Sequence, residues 1–152
     1  MHLPMKLSSE TQKGIEIVEE GFLDSGAGGK FIDQNYVRAK RLEKEALFEP
    51  IKVYNVDGTP NKRGTITHYV DLDIEIHGRK RKERLLVTGL GKHKVILGLP
   101  WLRKANPIID WEKGTLQWRQ PIRNKDTLGT KTPTRTPTTI SEEEDEELHL
   151  RR

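Results

Sequence analysis

Gly21-Phe22-Leu23-Asp24-Ser25-Gly26-Ala27 carries an apolar pair into a carboxylate and then into a Ser-Gly-Ala turn, where a backbone can bend tightly. Asp24 is the only charged group in the stretch, so it is the residue the fold has to account for. Far downstream, Lys94-Val95-Ile96-Leu97-Gly98 repeats the design of an apolar strand ending at a glycine. Two such strands can meet beside one carboxylate. Alone, Asp24-Ser25-Gly26 reads as an ordinary surface turn, because each residue type favours turns. Leu23 before it, Ala27 after it and the distant Ile96-Leu97-Gly98 single Asp24 out for chemistry.

Outward from this stretch the pattern is that of strands. Leu3 to Leu7 and Gly14 to Val18 read as short strands leading into Asp24, with Ile15, Ile17 and Phe22 set against Glu16 and Glu19. Asp33 can cap a helix to about Leu42, with its carboxylate at the positive end and Ile32, Tyr36 and Leu42 available for burial. Phe48-Glu49-Pro50 ends any helical tendency, and Ile51 to Val56 reads as a strand. Asp57-Gly58-Thr59-Pro60-Asn61 is dense in turn residues and Thr65 to Ile76 alternates strongly, so a long hairpin is expected. Gly78 marks the next reversal, which puts Arg79-Lys80-Arg81-Lys82 at a solvated turn. Strands follow at Glu83 to Thr88 and Val95 to Leu97. Pro100 opens a short helix with Trp101-Leu102 facing the sheet, and Asn106-Pro107 stops it. Ile108 to Trp111 and Thr115 to Trp118 flank Glu112-Lys113-Gly114 as a final hairpin. The expectation is an all-β domain over residues 1–120 with one or two short helices.

From Pro121 onward aliphatic residues thin out, Thr and Pro accumulate, and Glu142-Glu143-Glu144-Asp145-Glu146-Glu147 forms an acidic block. Residues 121–152 therefore read as a solvated, disordered tail. Pairing of the acidic block with the basic face, or a helix through Leu148 and Leu150, stand behind that reading.

The composition narrows the classes. At 152 residues there is room for one domain plus a tail. Charged and hydrophobic fractions are both 33%, and no apolar run reaches the roughly 18 residues of a membrane span. No secretory leader pattern opens the chain, and without cysteine there is neither a disulfide framework nor a thiol nucleophile, so the cytoplasm is the expected compartment. The net charge of +4 raises a nucleic-acid partner through Arg38, Lys40, Arg41 and Lys44 or through Arg79 to Lys82, although charged turns are more often simply solvated. The histidines at 2, 68, 77, 93 and 149 lack metal-ligand spacing and give Ser25 no triad partner, so they read as surface residues. Gly26-Ala27-Gly28-Gly29-Lys30 is too short for a phosphate loop, with Phe31 where the hydroxyl belongs. Trp101, Trp111 and Trp118 read as core or dimer-interface aromatics.

The Asp24-Ser25-Gly26-Ala27 turn followed by Ile96-Leu97-Gly98 resembles the retropepsin signature, and the chain is most similar to the protease region of gypsy-type LTR retrotransposons, fungal ones in particular, over roughly residues 1–120. Phe31-Ile32, Val53 to Pro60, Gly98 to Leu102 and Ile109-Asp110-Trp111 follow in the family's order. The resemblance implies a closed, mostly antiparallel β-barrel whose flap, Val56-Asp57-Gly58-Thr59, covers an extended peptide. It also implies that Asp24 is catalytic, that Ser25, Gly26 and Ala27 support its turn, that Ser25 reaches across to a partner chain, and that Ile96, Leu97 and Gly98 form the supporting second strand. No cofactor or metal is implied. The acidic residue and arginine that brace one another in many viral relatives are replaced by Gly28 and Leu99.

Hydrolysing an amide near neutral pH needs a base for the water and an acid for the leaving group. Two carboxylates sharing one proton supply both. This chain holds the motif once, so a second copy must bring the other carboxylate, which makes a twofold homodimer acting on polypeptide, such as the element's own polyprotein, the expected enzyme. The rivals are a catalytically inactive dimerisation or protein-binding module of the same fold, and a basic nucleic-acid-binding fragment.

Overall fold

The computed structural model describes residues 1–54 and 59–120, so Val56, Asp57 and Gly58 of the expected flap and the expected tail 121–152 lie outside the described residues. Nine strands and two helices are described: β1 (His2–Ser8), β2 (Glu16–Leu23), β3 (Lys30–Asp33), α1 (Gln34–Ala39), β4 (Glu45–Tyr54), β5 (Pro60–Ile76), β6 (Arg79–Thr88), β7 (Val95–Leu97), α2 (Leu99–Ala105), β8 (Ile108–Asp110) and β9 (Thr115–Gln117). Neighbouring strands run β1-β2-β7-β3-β6-β5, and a β1–β5 pairing through Lys6–Glu75, Leu7–Ile74 and Ser8–Asp73 closes the ring. The result is a closed six-stranded barrel, with β4 added outside on β5. All pairs are antiparallel except β2–β7 and β3–β6, which are parallel. No helix among the described residues is long and apolar enough to cross a membrane.

Alternation explains the interior. In β1 it buries Leu3, Met5 and Leu7, and they meet Leu23, Ile32, Val70, Ile74, Leu85 and Leu97 in one core. Each fully buried aliphatic contributes roughly 1.5–3 kcal/mol. In β2 the inward positions are Ile17, Glu19, Gly21 and Leu23, so Phe22 lies on the opposite face and does not share a side with Ile17 as expected. A β-carbon on Gly21 would enter the thioether of Met5, so the glycine makes room for that side chain.

Three further expectations need correction. The first helix ends at Ala39, not Leu42, because Arg41 takes a left-handed backbone (φ 56°), although Leu42 is still buried. Its start is as expected: Asp33 Oδ2 accepts from the N–H groups of Asn35 (3.1 Å) and Tyr36 (3.2 Å). The strand before the expected flap begins at Glu45 and absorbs Phe48-Glu49-Pro50 in a bulge, since its register jumps from Ala46–His68 to Ile51–Ile66. Phe48 is left fully exposed there. Third, Arg79 to Lys82 are not a turn. His77 and Gly78, both at positive φ (46° and 81°), make the reversal alone, so the basic run lies on β6 with Lys80 opposite Glu75, Lys82 opposite Asp73 and Arg84 opposite Asp71.

One edge of the 17-residue β5 serves β4 over its first half and β1 near its end, which joins the arm carrying the hairpin to the barrel wall. At the far end, Trp101 of α2 is buried and packs edge-on to Trp118 (6.2 Å between centroids), whose Nε1 donates to Ile76 O at 2.9 Å. That contact and the buried Leu116 dock the β8–β9 hairpin on the barrel, while Trp111 stays half exposed.

Candidate active site

Leu23 and Leu97 sit side by side in the parallel β2–β7 pair, and Lys30 pairs with Leu97 from the other side in the antiparallel β3–β7 pair. β7 thus lies between the two arms of the turn 24–29, which passes over its end. Backbone bonds fasten the crossing: Asp24 N donates to Leu97 O (3.0 Å), Gly98 N to Gly29 O (2.9 Å), Leu99 N to Ala27 O (2.9 Å) and Ala27 N to Asp24 O (2.9 Å). A β-carbon on Gly98 would penetrate the carbonyl oxygens of Ala27 and Gly29, so close backbone approach requires glycine here.

The Asp24 carboxylate is oriented by its own turn, with Oδ1 accepting from Gly26 N at 2.9 Å. Asp24 is half-buried, Ser25 and Gly26 are exposed, and Ala27, Gly28 and Gly29 are buried. The structure therefore brings Asp24, Ser25, Gly26 and Ala27 together with Ile96, Leu97 and Gly98. Where a charged brace was absent from the sequence, Gly28 lies buried in the turn and Leu99, at the start of α2, is tied to that turn by its N–H to Ala27 O. Of the residues expected to form a flap, only Thr59 is described, and it is exposed.

Sequence reasoning missed the aromatic group beside the carboxylate. Phe22 projects outward, His93 stacks on it (4.4 Å between centroids, 19° between planes), and His2 lies 4.8 Å from Phe22 and 5.6 Å from His93. Burial, then the charges of His2 and Lys92, push the His93 imidazole below its ordinary pKa, against the opposing pull of Asp24. The β1–β2 register sets His2 opposite Phe22 and the β2–β7 pairing brings the loop carrying His93 to the same residue, so the link across 91 positions exists only once the strands are paired. Among the described residues no three His, Asp or Glu side chains converge as a metal-binding group.

Residues 20–126 match the family model described as the PEG10/RTL1 protease domain. The fold is similar to the retroviral protease-like domain of Ddi1 from Leishmania major, at 16% identity over 78% of this chain and 87% of that one, with a TM-score of 0.49. It is also similar to the EIAV protease complexed with the inhibitor HBY-793, at 18% identity over 72% of this chain and 91% of that one, with a TM-score of 0.43.

Proposed function

The chain belongs to the PEG10/RTL1 protease domain family, and from that premise we propose that it is an aspartic endopeptidase whose dyad is formed by Asp24 from each subunit of a homodimer. The observation that carries this reading is the fastening of Asp24 N to Leu97 O, with Oδ1 held by Gly26 N. It presents one carboxylate at the surface on a rigid main-chain support, beside the exposed Ser25 and Gly26. Two such carboxylates at a twofold axis repel when both are ionised, so they share a proton. The ionised member takes a proton from water as the water attacks the scissile carbonyl. The protonated member donates to the carbonyl oxygen, and the leaving nitrogen is protonated as the tetrahedral intermediate collapses.

The substrate on this reading is an extended polypeptide, as in a gypsy-type retrotransposon polyprotein, laid as an added strand under Val56-Asp57-Gly58-Thr59. Ser25 reaches the partner subunit and braces the paired turns. Residues 1–120 form the catalytic domain, 121–152 a tail outside it, and the cytoplasm is the site of action.

Asp24→Asn, an isosteric change, tests the dyad on a quenched peptide library with and without a pepstatin-type inhibitor. The expected result is an unchanged circular dichroism spectrum with turnover lower by about 10²–10⁴-fold or more. Parental specific activity should also rise with concentration until dimers saturate. A folded Asp24→Asn protein that cleaves at the parental rate removes Asp24 from the mechanism. A folded, dimeric parent that cleaves nothing in the library supports the binding-module reading instead.

A further inference from the structure

A concavity of 810 Å³ whose lining does not include Asp24 opens between α1, the loop after it and strand β5. Its wall carries Arg38, Arg41 and Lys44, with His68, Thr65 and Thr67 facing them from β5. None of the three cations is in an ion pair among the described residues, whereas on β6 Arg81 and Lys82 pair with Glu83 and Glu10, and Lys80 lies opposite Glu75. Among the described residues the one carboxylate in the wall, Asp33, is buried and accepts from the N–H groups of Asn35, Tyr36 and Leu90, the last at 2.8 Å to Oδ1. Glu43 and Glu45 flank Lys44 in sequence but do not line the concavity. What remains is uncompensated positive charge on a concave, hydroxyl-rich surface.

The backbone beneath it is held in a costly shape. Arg41 at φ 56° occupies a region that a β-carbon disfavours. Both ends of the Gln12 amide clamp this loop, Nε2 donating to Arg41 O at 2.6 Å and Oε1 accepting from Glu43 N at 2.9 Å. Strain held in place by a neighbour points to a use for the side chain it presents.

We propose that this cationic wall docks the acidic block Glu142-Glu143-Glu144-Asp145-Glu146-Glu147 of the same chain. Guanidinium groups pair with carboxylates in two-pronged hydrogen bonds, and six consecutive carboxylates are the densest negative charge in the sequence. Among the described residues no Phe, Tyr or Trp lines the concavity, so their side chains offer no stacking platform of the kind single-stranded nucleic acid uses. Residues 121–141 supply 21 residues of tether between residue 120 and the acidic block. Being intramolecular, the encounter proceeds at an effective concentration of about millimolar. The proposal is independent of the role given to Asp24.

The experiment follows backbone amide shifts of residues 38–44 and 65–68 in the full chain. In one variant the acidic block is neutralised (Glu→Gln and Asp145→Asn), and in another Arg38→Gln is combined with Arg41→Gln. Neutralising the block should shift these amides, and raising salt from about 50 mM to about 500 mM should shift them the same way in the parent only. A free peptide of residues 141–147 should bind the tail-neutralised chain about tenfold or more tighter than the parent, and the double-arginine variant should not bind it. Amides that ignore both salt and tail neutralisation overturn the proposal. So does an oligonucleotide of equal charge that binds these residues in the parent more tightly than the peptide binds the tail-neutralised chain. If the arginine variant fails to fold, the tail variant alone decides.

Discussion

The Asp24 crossing and the β5–β6 hairpin are both fastened by main-chain bonds, yet they differ in what is added to them. At the crossing, turn 24–29 is tied to the end of β7 by main-chain bonds and by a glycine that leaves no room for a side chain. Along β5–β6 the specific contacts are made by side chains: Arg84 grips both Asp71 oxygens (2.9 and 3.1 Å) while lying over the Tyr69 ring at 3.9 Å, Lys82 pairs with Glu10, and Lys30 and Arg81 converge on the buried Glu83. The crossing positions a carboxylate with little tolerance for change, whereas the ladder spreads its side-chain stabilisation over many replaceable pairs.

The sharpest way to break this contrast is Gly98→Ala. One methyl group must displace the Ala27 and Gly29 carbonyls, so we expect a loss of about 3 kcal/mol or failure to fold, read as a drop in denaturation midpoint. A near-parental midpoint would mean that the crossing flexes as freely as the hairpin. A smaller effect is expected on the ladder. A double-mutant cycle on Asp71→Asn and Arg84→Gln should give a coupling of only about 0.5–1 kcal/mol, because both groups are more than half exposed. A coupling of several kcal/mol would erase the distinction.

The smallest expected signal is a pH slope at the crossing. Since the folded state holds His93 below the usual imidazole pKa of about 6.5, the unfolded chain binds that proton more readily. Stability linked to the neutral ring is present above that value and is lost as pH falls through the folded pKa. His93→Gln should flatten this part of the stability profile while leaving the rest of it unchanged. An unaltered slope would assign the titration elsewhere.

The Asp24 turn and its partner strand were legible because both carry local signals: an apolar approach, a tight turn and a strand ending at glycine. The two helices were legible from Asp33 and Pro100, which act within their own first turn. Arg79 to Lys82 were misplaced because a two-residue turn leaves no compositional trace beyond His77-Gly78, and because the compensating acids sit on another strand. The bulge at Phe48-Glu49-Pro50 looked like an interruption, since proline normally leaves a ladder. His2 and His93 were unreadable for a different reason: neither has a meaning until β1 and β7 both lie against β2. Tyr36 adds a case that only packing reveals. Its hydroxyl is buried near the Glu19 carboxylate without a well-formed hydrogen bond, and burial and then that charge raise its pKa.

The bond from Asp24 N to Leu97 O spans 73 positions, and closing a loop of that length costs about 4 kcal/mol of chain entropy before any contact repays it. During synthesis the aspartate leaves the ribosome long before the strand that shapes its turn. A nascent or truncated chain ending short of Gly98 carries the carboxylate but has nothing to set its geometry, so the order of translation itself withholds the site until the barrel is nearly complete.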